Sequence, residues 1–190
     1  MKKKTVALLL ALVMVFGAAI GGTIAWLTAT TAEVKNTFTV GNIDIDLDES
    51  DDLDLKMVPG KDITKDPEVT VKANSEACWL FVKIDESDNL KDFISYTPAD
   101  GWTQLEDAEG NKIDGVYYRE VNAATAAAGV TYSVLKDDQV TVLNSVDKDA
   151  MDELTDATLP TLTFTAYACQ SANMDITDAW NIVSAAAVQP

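Results

Sequence analysis

From Ile43 to Asp48 apolar and acidic residues alternate without a break: Ile43-Asp44-Ile45-Asp46-Leu47-Asp48. A repeat of two suits a β-strand with one face on a core and the other in water. It predicts that Ile43, Ile45 and Leu47 are buried and that Asp44, Asp46 and Asp48 face solvent. Phe38-Thr39-Val40 reads as the strand before it, with its apolar residues at even positions, so one residue must be absorbed at Gly41-Asn42 by a bulge or bend.

The same reading continues along the chain. After a turn at Pro59-Gly60, Val69-Thr70-Val71-Lys72-Ala73 alternates, and Asn74-Ser75-Glu76 breaks the pattern. Cys78-Trp79-Leu80-Phe81-Val82-Lys83-Ile84 is apolar on both faces, as a central strand covered on both sides requires. Residues 116–121, 130–135 and 139–143 supply further strands. Leu162, Phe164, Ala166 and Ala168 alternate with Thr161, Thr163, Thr165 and Tyr167, predicting an apolar inner face and a threonine-rich outer one. Ala123–Ala128 suits a helical turn or a loop, 149–154 a helical turn and 178–183 a short helix. Many short strands between turn signals predict an all-β fold, an antiparallel jelly-roll-like β-sandwich with short helices in its loops and a single domain over 38–190.

Ahead of that domain the chemistry changes. Lys2, Lys3 and Lys4 form a positive n-region, residues 5–20 carry no charge, and Thr23 and Ala25 are small residues at the −3 and −1 positions of a signal-peptidase site. Residues 1–25 are therefore expected to form a helical signal peptide, cleaved before Trp26, which leaves 165 of the 190 residues. Losing the three lysines takes the basic count from 14 to 11 against 31 acids, a net of −20. Such an excess repels phosphate backbones and anionic headgroups, so no nucleic-acid partner is expected, and the membrane enters only through the signal peptide.

Catalytic chemistry has little to draw on. Without histidine the usual base of Ser/His and Cys/His hydrolases and the usual zinc ligand are missing. Asp44, Asp46 and Asp48 are spaced like the first ligands of a calcium loop, but Glu49 stands where that loop needs Gly and Leu55 where it needs a bidentate Glu. No catalytic, cofactor or metal site is expected. Two cysteines, Cys78 and Cys169, are compatible with one disulfide after export or with two free buried thiols. Trp79, Phe81, Tyr117, Tyr118 and Trp180 read as packing residues. Trp102, in a polar turn after Asp100-Gly101, is the one aromatic expected at the surface as a contact.

Several segments together resemble the TasA and camelysin group of exported proteins of Gram-positive bacteria. They are Gly21-Gly22-Thr23-Ile24-Ala25-Trp26-Leu27-Thr28, Asn36-Thr37-Phe38-Thr39-Val40-Gly41-Asn42-Ile43, Met57-Val58-Pro59-Gly60-Lys61-Asp62-Ile63, and Thr165-Ala166-Tyr167-Ala168-Cys169-Gln170 with Ala179-Trp180. The resemblance implies maturation by a signal peptidase of the SipW type, secretion to the extracellular matrix or cell surface, and a structural role in a biofilm. It also implies assembly into fibres, alone or with other matrix components, through an N-terminal donor strand. Segment 26–37 is the candidate arm, through Trp26, Leu27, Thr28, Val34, Asn36 and Thr37. Camelysin has been described as a protease, so a secreted hydrolase is the alternative reading, and a monomeric surface-binding module is a third.

Overall fold

The computed structural model describes residues 41–50 and 55–186. Among these residues ten strands form three antiparallel sheets. The first, in the order β1-β3-β8, joins Ile45–Asp48, Glu68–Val71 and Val130–Ser133. The second, β10-β4-β7-β6, joins Leu162–Gln170, Cys78–Glu86, Lys112–Val121 and Thr103–Glu106. The third, β2-β9-β5, is small and joins Asp62–Thr64, Gln139–Val142 and Ile94–Ser95. The all-β expectation holds at this level, and no helix among the described residues is long and apolar enough to cross a membrane.

Strand β4 organises the molecule because its two faces are both apolar. Cys78, Leu80, Val82 and Ile84 point into a core shared with Val69 and Val71 of β3 and with Val121 and Val134, so the first two sheets pack face to face. Phe81 and Trp79 point the other way, against the C-terminal helix Ile176–Ala186, whose Ala179 and Trp180 are buried there. The Phe81 and Trp180 rings lie 5.4 Å apart, and Tyr167 meets Trp180 edge-on at 5.5 Å. The Trp79 indole N–H donates to the Met174 carbonyl at 3.1 Å. Each fully buried Leu, Val or Phe of this strand contributes about 1.5–3 kcal/mol by leaving water, so β4 is the strand the fold can least spare.

Partner strands run in register along β4. The β10 ladder extends from Leu162 opposite Glu86 to Gln170 opposite Cys78, nine pairs without a shift. On the other side β7 pairs from Val121 opposite Cys78 to Val116 opposite Lys83. Beyond that lies Gly115 at φ +68°, where a Cβ would stand 2.3 Å from the Ile84 carbonyl oxygen. Only glycine lets β7 bend there, and the strand continues to Lys112, longer than the 116–121 expected. A third core, of Ile63, Leu135, Val140 and Val142, sits under the small sheet.

Several expectations shift. Strand β8 ends at Ser133, not Leu135, because the chain leaves the first sheet there. Val134 donates its N–H to the Pro67 carbonyl, and Leu135 bridges Pro98. Both residues stay fully buried, so their hydrophobicity imitates a longer strand. Ala123–Ala128 is a helix (α2), capped by the Asn122 side chain, which accepts from the Thr125 N–H at 3.0 Å. The helical turn expected at 149–154 is Lys148–Asp152 (α3), capped by Asp147, and the final helix (α4) is the full Ile176–Ala186. The short helix Leu90–Phe93 (α1) and strands β5 and β6 carry too little pattern to be predicted. Ile43, Ile45 and Leu47 do pack on the core, but β1 is an edge and they are only half-buried, while Asp44, Asp46 and Asp48 are exposed. Phe38-Thr39-Val40 falls outside the described residues, while Gly41 and Asn42, where the bend was expected, are exposed and belong to no strand, the Asn42 carbonyl accepting from the Glu76 N–H.

Candidate functional site

The signal-peptidase residues Thr23, Ala25 and Trp26 lie outside the described residues. So do the arm residues Trp26, Leu27, Thr28, Val34, Asn36 and Thr37.

Among the described residues no three His, Cys, Asp or Glu side chains are grouped to hold a metal ion. The acidic row of β1 is instead matched by a lysine. Lys72 lies 3.6 Å from Asp44 and 3.4 Å from Asp46, and these carboxylates, Asp44 first, raise its pKa.

Cys78 and Cys169 are free thiols. Cys78 belongs to the core between the two large sheets, whereas Cys169 lies on the opposite face with Met174, their sulfurs 3.3 Å apart. Cys78 stands opposite Gln170 in the ladder and Cys169 is one residue out of register with it, so the two side chains point to opposite faces of the sheet and are not bonded here. Burial, with a smaller contribution from nearby Cys169, pushes the Cys78 thiol up to about 11.

Trp102 is not a surface contact. It is 9% exposed, and its indole N–H donates to the Ser133 carbonyl at 2.9 Å. The polar turn misled because the ring swings beneath it, across the gap between sheets. There it meets Tyr132 of β8 edge-on, with ring centroids 6.5 Å apart. Arg119 of β7, the sole arginine of the chain, lies 3.6 Å from the Tyr132 ring centroid and 5.0 Å from that of Trp102. Gly101 makes room for this stack, since a Cβ there would stand 2.3 Å from an Arg119 terminal nitrogen. This side of the sandwich is closed by rings, a cation and a hydrogen bond to the edge strand.

On the other side β1 and β10, each the edge of its own sheet, face one another without a backbone hydrogen bond among the described residues. Leu162, Phe164, Ala166 and Ala168 of β10 are only half-buried, like the isoleucines of β1. A cavity of about 310 Å³ opens between the two at Leu47, Pro67, Leu162 and Phe164. Lys65 lies 5.3 Å from the Phe164 ring centroid and is paired with Glu49 at 2.6 Å. Next to it a larger apolar groove of about 470 Å³ is lined by Leu55, Met57, Ile63, Leu90, Leu159 and Leu162.

The backbone of β10 completes this surface. It pairs with β4 on one side only, and among the described residues nothing bonds its outward N–H and C=O groups. A free ladder of that length is a template for another strand. Reading the sequence for buried faces missed it, although a signal is present: residues 157–174 contain no charged side chain in a chain that is 24% charged.

No family model, curated protein or solved structure matches the chain.

Proposed function

We propose that the protein is a secreted structural component of the extracellular matrix or cell surface, of the TasA and camelysin type. In this reading a signal peptidase of the SipW type releases it at Trp26. A jelly-roll-like sandwich then presents an open side to which the arm 26–37 of a neighbouring copy adds as a strand. The contact is head-to-tail and does not close on itself, so it propagates into a fibre. The observation that carries the reading is the outer ladder of Leu162–Gln170, unpaired among the described residues, beside the half-buried apolar row of Ile43, Ile45 and Leu47. An acidic surface suits it, keeping the subunit soluble until a specific edge is met.

The test compares the secreted protein beginning at Trp26 with a version beginning at Thr37, by sedimentation and electron microscopy in one buffer. Fibres are expected from the first and none from the second. If both form the same fibres, or neither forms any, strand donation by the arm is wrong.

A further inference from the structure

The sheet edges differ in how they are guarded. Strand β1 is four residues long and carries an acid at every second position. Strand β6 is interrupted by a register shift between Gln104 and Glu106, and β8 is four residues long and clasped by Trp102. Strands β2 and β5 have three residues and two. Brevity, inward or flanking charge and irregular register are the devices that keep edges from pairing with other chains. Strand β10 has none of them. Its nine residues, Leu-Thr-Phe-Thr-Ala-Tyr-Ala-Cys-Gln, include no charge, proline or glycine, and its ladder to β4 is unbroken.

The sequence of this edge is also complementary to itself. We infer that β10 pairs antiparallel with β10 of a second copy about a two-fold axis through Ala166. That axis sets Phe164 opposite the second copy's Ala168 and Thr165 opposite its Tyr167, a large side chain against a small one in both cases. Leu162 lies opposite Gln170 and Thr163 opposite Cys169. The period of two is preserved, so inner faces meet inner faces and the two four-stranded sheets become one continuous sheet. The half-exposed apolar residues of both β1 strands then overlie a wider floor. Local charge does not oppose the approach, although each copy as a whole is strongly acidic, because each brings the uncharged segment 157–174. The contact is isologous and closes at two copies. It takes the same outward edge of β10 that the arm contact proposed above would use, so the two are alternatives: a chain paired in this way cannot also accept an arm at β10.

Cysteine cross-linking fixes both the partner and the register. The exposed substitution Thr163→Cys places a thiol opposite the native Cys169 of the second copy and should give a disulfide-linked dimer under mild oxidation. The wild type should not cross-link, since its two Cys169 residues lie six pairs apart, about 20 Å along the ladder. In a Cys169→Ser background, Ala166→Cys should link to itself. Sedimentation of the version beginning at Thr37, in which no arm competes for the edge, should give a dimer, and Thr163→Lys, which brings charge to the edge, should weaken it about tenfold. A monomeric version beginning at Thr37, or a dimer that neither cysteine variant traps, would overturn the proposal.

Discussion

Where β8 meets β6 and β7, the gap between sheets is closed by Trp102, Tyr132 and Arg119, and the Trp102 indole bonds the carbonyl of the edge strand. Where β1 meets β10, the same two sheets approach with half-buried isoleucines, alanines and a phenylalanine, and a cavity remains between them. Both sides have apolar residues at hand, so hydrophobicity does not distinguish them. The difference is what reaches across. Long side chains with a polar tip fill a gap and satisfy the backbone they cover, while Ala166 and Ala168 are too short to do either. Among the described residues, one side of the sandwich is thus closed and the other is open.

Removing the clasp should be the most damaging change. Trp102→Ala deletes a buried ring and leaves the Ser133 carbonyl unpaired and Arg119 with half its support, so a loss of about 3–5 kcal/mol is expected in denaturant unfolding. On the open side Ile45→Ala removes a residue already half in water and should cost less, about 1–2 kcal/mol. Equal losses at the two positions would erase the comparison, and a larger loss at Ile45 would reverse it. Alkaline unfolding probes the interior between the sides. Below pH 9 the Cys78 thiol is protonated in both folded and unfolded chains, but between about 9 and 11 only the unfolded chain gives up the proton. Stability should therefore fall across that window, and a Cys78→Ser variant should fall less. The smallest effect belongs to the acidic row, where Asp46→Asn should shift stability by no more than about 0.5 kcal/mol, since its partner Lys72 is a surface ion pair. A large shift there would mean that β1 holds its place by charge and not by its isoleucines.

Period two made β1, β3, β4 and β10 legible, and the double-sided burial of β4 could be read from Trp79 and Phe81 interleaved with Leu80 and Val82. The pattern failed where tertiary geometry decides. Val134 and Leu135 continue an apolar run while the backbone leaves its sheet, and no local signal marks that departure. Trp102 follows Asp100 and Gly101, residues that belong at a surface, yet its ring reaches inward past the turn. Strand β7 runs on through Gly115 because a bend brings its backbone against Ile84, a contact known only once both strands are placed. The open side was legible in part. The uncharged run 157–174 stands out in an acidic chain, but that β10 lies at an edge depends on strand order, which periodicity does not encode.

The β4–β10 ladder turns the two cysteines into a record of folding history. Cys78 faces Gln170 and Cys169 faces Trp79, so a slip of one residue brings the two thiols directly opposite each other. The same slip would turn the inner face of β10 outward and strip Leu162 and Phe164 from the core. A disulfide between them would therefore be the covalent signature of a misregistered chain. Under oxidising conditions the correctly folded molecules would remain reduced at Cys78, and the oxidised fraction would count those that zipped up one step out of place.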